Sequence, residues 1–285
     1  MNALDYAEQA SEVFVLSDSF IRIKELIDDE ASTIDDIAEV IIIDPALAGT
    51  ILKLANSSLF NYPGKIDTIS KAVLVLGITE VYNLVISYFT TEAFKSLTAK
   101  SQEDLDFLEE FWEQSVDCAL LVKYIGSNLN FPNAERLFIL GLLHNLGELI
   151  VKQLTAERIS ECQSKSIDEL PWQKQQQVLG FTFGECSAEL LKVWQLPYSL
   201  IGPIRNQDEE DFSLTNDETQ LLYVAKRIMI KNSLFNNEPY STFLNSEQLK
   251  TLKVDEKLMH KAMNYCDMER LGILSVLKPS AAMVY

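Results

Sequence analysis

DPALAGTILKLANSSLFNYPGKIDTISKAVLVLGITEVYNLVIS, residues 44 to 87, runs through three helical periods separated by two breaks. In the first, Leu47, Ile51, Leu54 and Ala55 share one face, Asp44 is placed to cap it and Pro45 suits the first helical position. Asn56 and Ser57 then end the helix by bonding nearby backbone, and Pro63 and Gly64 follow in the connecting turn; a partner-binding loop is the less economical reading of that segment. Thr68 and Gly77 frame a second helix, and a third begins near Thr79. Short amphipathic helices joined by tight turns are the predicted local architecture.

The pattern continues outward. SQEDLDFLEEFWEQSVDCALLVKYIGSNL, from Ser101, opens on a Ser101/Asp104 capping pattern and predicts a long central helix burying Leu105, Leu108, Trp112, Ala119 and Leu120. FPNAERLFILGLLHNLGELIV predicts a helix from about Asn133, almost wholly apolar through Leu143 and so enclosed on several sides, with His144 at its inner end. Three shorter helical stretches follow, punctuated by Gly180 and Pro197, and the polar run at 206 to 217 reads as a loop inside the domain. ETQLLYVAKRIMIKN and DEKLMHKAMNYCDMERLGIL resume the helical period. No segment alternates as a sheet strand does, so the expected fold class is all-α.

Composition narrows the function. The chain has 285 residues, 47% hydrophobic and 23% charged, enough for one large domain or two modest ones. Lys plus Arg is 24 against 42 Asp plus Glu, a net charge of −18, which repels phosphate backbones and anionic lipids. No basic cluster rivals the acidic runs DDEASTIDD and DEEDF. A helix-turn-helix reader would need basic or amide side chains on its recognition helix, yet TISKAVLVLG offers Lys71 alone and ITEVYNLVIS offers Glu80 and Asn83. Neither a nucleic acid nor a membrane is expected as a partner. Cys118, Cys162, Cys186 and Cys266 form no CxxC pair, which disfavours a zinc site and a disulfide framework alike. The opening MNALDYAEQA lacks the basic and apolar segments of a leader, and no run reaches about 18 apolar residues, so a cytoplasmic location is expected. Trp112, Trp172 and Trp194 read as packing residues, and no serine or cysteine nucleophile motif accompanies a histidine.

The order Asp44-Pro45-x-Leu47, Ala55-Asn56-Ser57, Ile69-Ser70-x-Ala72 and Leu76-Gly77 resembles the HDOD family, the HD-related output domains of bacterial signalling proteins. The resemblance continues through FWEQS, GLLHNLGELI, LGFTFGECSAELLKVWQLP and QLLYVAKRI, about residues 10 to 230. It implies a two-lobed helical bundle of the HD-domain phosphodiesterase type. The N-terminal lobe would span about 10–100 and the HD-like lobe about 101–230, with 231–285 as an extension packed on the second lobe.

The same resemblance implies where a metal site would fall. HD phosphohydrolases activate water with one or two divalent metals held by neutral imidazoles and carboxylates. Here the first histidine position carries Gln114, the His-Asp doublet is His144-Asn145, a further histidine position carries Phe183, and the later carboxylate position carries Lys226. Phe183 has no donor atom, Gln114 and Asn145 offer only neutral amide oxygens, and Lys226 repels a cation. With only His144 and His260 in the chain, no replacement cluster can be assembled. The expectation is therefore no catalytic residue, no metal and no cofactor. His144 reads as a satisfied core residue, with Asn145 tying down backbone and Gly147 permitting a turn. In a sharper alternative, Gln114, His144, Asn145, Phe183 and Lys226 line a vestigial pocket, with the Lys226 ammonium in place of the ion, that takes a small anion or a nucleotide. The expected function is a non-catalytic regulatory module of bacterial signal transduction that meets a signalling protein partner. The alternatives are a metal-dependent phosphohydrolase with a depleted site and, third, a DNA-binding regulator.

Overall fold

Side-chain caps set the helix starts. The computed structural model describes residues 1–57, 59–60, 62–94, 101–132, 134–164 and 166–277, with only the backbone of Glu135. Asn2, Ser17, Thr33, Asp44 and Thr68 each accept from backbone N–H groups in the first turns of α1 (Ala3–Val13), α2 (Asp18–Asp28), α3 (Ile34–Ile43), α4 (Pro45–Ala55) and α5 (Ile69–Leu76). Gly77, at φ 91°, ends α5 in a backbone region that only glycine enters freely, and α6 (Ile78–Phe94) follows at once. Then come α7 (Gln102–Asn128), α8 (Ala134–Leu143), α9 (Leu146–Leu154), α10 (Glu157–Cys162), α11 (Pro171–Leu179), α12 (Phe183–Val193) and α13 (Tyr198–Arg205). The last three are α14 (Asp217–Leu234), α15 (Ser246–Leu252) and α16 (Glu256–Leu277). No strand occurs among the described residues, and the fold is all-α.

Contacts group the chain into two compact units: Met1–Phe14 with Glu103–Met268, and Val15–Gln102 with the described residues from Glu269. The first and last helices thus divide differently from lobes bounded at residues 100 and 230. In the second unit α3 packs on α2, α4 and α5, and α6 on α2, α4 and α5. The Ala55-Asn56-Ser57 turn is a clamp. Asn56 Nδ2 donates to the Leu52 and Ile66 carbonyls at 2.7 and 2.6 Å, its Oδ1 accepts from Ile66 N at 2.9 Å, and Ser57 Oγ donates to Leu54 O at 2.6 Å. The end of α4 is thereby tied to the segment leading into α5, as backbone bonding by these residues predicts. Ser58 and Asn61 of the same motif lie outside the described residues.

The first unit is built around α12, which packs on α1, α9 and α13, while α14 packs on α8, α13 and α15. The backbones of α7 and α8 meet at Gly141, where an added Cβ would lie 2.5 Å from Ala119 N. Arg136–Leu154 is apolar and long enough to cross a membrane by composition, nearer to such a span than the sequence reading allowed; 72% of it is buried inside the protein as core. Two of the predicted core residues, Leu105 and Leu108, are not buried, and Leu108 is only partly covered. Leu105 is 51% exposed, and the buried stripe of α7 begins at Phe111, because helical spacing identifies a face but not where along a 27-residue helix its neighbours begin.

Candidate functional site

The turn between α8 and α9 carries His144 and Asn145, and its backbone is locked from below. His144 O accepts from Gln207 Nε2 at 2.8 Å, and Gly147 N donates to Ser187 Oγ at 2.8 Å. His144 is 4% exposed, and its Nδ1 lies 2.6 Å from Gly141 O, which assigns the proton to Nδ1 and a lone pair to Nε2. Burial and the nearby Lys226 charge pull its pKa down to about 4, so the ring is neutral.

Two sequence expectations change at this turn. Asn145 makes no capping bond; its Nδ2 donates to Glu148 Oε2 at 2.6 Å. Gly147 is inside α9 rather than in a turn. It lies against α12, where an added Cβ would sit 2.8 Å from Cys186 Cβ and 2.9 Å from Phe183 C, so the glycine is a close-packing residue. Two helices meeting backbone to side chain leave the same sequence signature as a helix end.

The five residues singled out from the sequence line one cavity of about 410 Å³: Gln114 from α7, His144 and Asn145, Phe183 at the start of α12, and Lys226 on α14. Phe183 forms wall and does not fill the space. Glu110, Glu148, Gln175 and the rings of Phe107 and Phe111 complete the lining that matters chemically. Gln175 Oε1 accepts from Phe183 N at 2.9 Å and so holds the aromatic wall in place.

Electrostatics at the two sides differ. Lys226 Nζ is bound by both oxygens of Asp208 at 2.8 and 2.7 Å, and it stands 4.9 Å from the centroid of Trp172. The neighbouring Arg227 guanidinium, 1% exposed, lies between the rings of Trp172 and Tyr223 and 3.7 Å from Asp208. Burial lowers the Lys226 pKa and Asp208 opposes that shift. Trp172 is thus a buried packing residue whose partners are cations. Opposite, burial and the Glu110 charge push Glu148 up to about 7.

A divalent metal does not fit this donor set. Among the described residues no three His, Cys, Asp or Glu side chains cluster as a metal shell would require. The cavity offers one neutral imidazole, two carboxyls, Glu110 and Glu148, of which burial opposes the ionisation of the second, amides and a lysine ammonium, where a hard cation needs several anionic oxygens. Sequence reasoning missed Glu110, Glu148, Gln175 and Asp208. The four-residue spacing of Glu110 to Gln114, and of His144 to Glu148, was a usable signal for two of them.

Comparison with known proteins adds the following. The HDOD domain family model matches residues 14–210. An uncharacterized protein of Treponema pallidum (strain Nichols) is 26% identical over 211 residues, 71% of this chain, and the chain spans only 39% of that relative's length. A candidate phosphohydrolase of Shewanella amazonensis SB2B has the same fold, with a TM-score of 0.69 and 22% identity over 97% of each chain. A candidate signal transduction protein of Marinobacter aquaeolei VT8 follows at a TM-score of 0.65 and 20% identity, over 92% of this chain and 58% of that one.

Proposed function

The chain belongs to the HDOD domain family, and from that premise we propose that it is a regulatory domain of bacterial signal transduction without hydrolytic chemistry of its own. The observation that carries this reading is the Lys226–Asp208 pair on the cavity beside His144. An HD-type hydrolase needs a metal there to polarise a phosphate and lower the pKa of water. A lysine paired with its own aspartate supplies fixed charge to the fold where such a hydrolase would hold its metal. The neutral His144, bonded through Nδ1 to Gly141 O, is a weak base at its lowered pKa of about 4, so the retained imidazole does not support a general-base role. On this reading the domain acts by presenting helical surface to a protein partner, with the cavity available to a regulatory ligand.

The test is elemental analysis of full-length protein purified without chelator and supplemented with manganese, magnesium and iron, run beside assays on p-nitrophenyl phosphate and bis-p-nitrophenyl phosphate. Substoichiometric metal and no turnover above the buffer rate are expected. A tightly held, stoichiometric metal with hydrolysis that EDTA abolishes would establish the phosphohydrolase instead.

A further inference from the structure

The cavity is rich in hydrogen-bond acceptors, and most of them gather at its α7 and α9 side. Gln114 Nε2 donates to Glu110 Oε1 at 2.9 Å and Asn145 Nδ2 donates to Glu148 Oε2 at 2.6 Å, so both amides spend hydrogens on the carboxylates. Among the described residues no donor reaches the other oxygen of either carboxylate, and neither has a cation within ion-pair distance. A third acceptor is independent of them. His144 lines the cavity while 4% exposed, its Nδ1 is engaged by Gly141 O, and among the described residues its Nε2 lone pair has no hydrogen-bond partner.

Among the described residues the one cation lining the cavity is already matched. Lys226 commits two of its three hydrogens to Asp208, so it presents little net positive charge to an incoming anion. A phosphate would meet Glu110 and Glu148 beside a lysine already bound to Asp208, which argues against the small anion or nucleotide of the alternative reading. A ligand that brings its own positive charge meets the opposite situation: carboxyls with no ion-pair partner among the described residues, a neutral imidazole acceptor, and the rings of Phe107, Phe111 and Phe183, which cover apolar carbon.

We propose that the cavity binds a small primary amine with an apolar or aromatic body, its ammonium held by Glu148 and Glu110 and its body packed against Phe107, Phe111 and Phe183. This rests on the reading that the site is not a metal centre, since a bound divalent ion would occupy the same carboxylates.

Three molecules of nearly equal shape separate the possibilities: 2-phenylethylamine, 2-phenylethanol and phenylacetate, titrated calorimetrically into the full chain. The amine should bind at least about tenfold tighter than the alcohol, and phenylacetate more weakly than either. Glu148→Gln should remove the amine's advantage and leave the alcohol's affinity unchanged, with its melting curve reporting that the variant is folded. An alcohol as tight as the amine, a tighter phenylacetate, or no heat from any of the three overturns the proposal. That ranking is measured on the unaltered chain and stands even if the variant fails to fold. Manganese titrated into the same sample tests the underlying reading separately: stoichiometric binding sinks the non-metal site whatever the amine does, and its absence with no amine preference sinks the amine alone.

Discussion

His144 and Glu148 are moved by burial in opposite directions, and folding stability must carry both signatures. His144 falls from 6.5 to about 4 on folding, so between those values the unfolded chain binds the proton and the folded one does not. Stability from this group rises with pH across that window. Glu148 rises from 4.5 to about 7, so the folded chain keeps a proton that the unfolded chain loses, and stability from it falls as pH climbs from 4.5 to 7. The two slopes oppose each other between 4.5 and 6.5. Glu148→Gln should therefore gain on the unaltered chain as pH rises through 4.5 to 7, and His144→Gln should lose on it between 4 and 6.5. Urea midpoints across this range check both, and a difference independent of pH would show that the groups titrate as they do in water. At this scale the sequence was informative where a family pattern fixes positions: Gln114, His144, Asn145, Phe183 and Lys226 line one cavity. It was silent where identity depends on a distant partner. Asp208 is one of several carboxylates in an acidic loop, and only the folded chain shows which of them meets Lys226.

Helices were legible because their punctuation is local. Asp44 with Pro45, Thr68 and Gly77 act within one turn, so their chemistry appears in sequence as it does in space. Helix-to-helix approach has no such local mark, which is why Gly147 reads as a turn yet serves as a contact. Glycines therefore give a contrast at element scale. Gly49 lies inside α4 with nothing within 4 Å of an added Cβ, and Gly49→Ala should stabilise the protein by about 0.5–1 kcal/mol through helix propensity and unfolded-state entropy. Gly141→Ala makes the same chemical change against the Ala119 backbone, where no side chain can yield, and should cost about 1–3 kcal/mol or more. Denaturant unfolding of the two variants checks the opposite signs. If Gly141→Ala were neutral, α7 and α8 would have to sit further apart than the structure places them.

Across the whole molecule the acidic excess sets the response to salt. Forty-two Asp and Glu against 24 Lys and Arg leave the folded chain repelling itself, and compaction brings those charges closer than they are in the unfolded chain. Its surface ion pairs do little to offset this: Arg22–Glu25, with both side chains 61% exposed, is of the kind worth at most about 1 kcal/mol and is screened readily. Raising sodium chloride from about 0.01 M to about 0.15 M shortens the Debye length from about 30 Å to about 8 Å. Repulsion summed over the surface should weaken more than the few exposed pairs do, so the melting temperature should rise with salt. The same charge predicts no retention of duplex DNA even at low salt, where counterion release would favour a basic protein most. A melting temperature that fell with added salt would mean that attractive pairs outweigh the net charge, and DNA retained only at low ionic strength would reveal a basic face that the totals conceal.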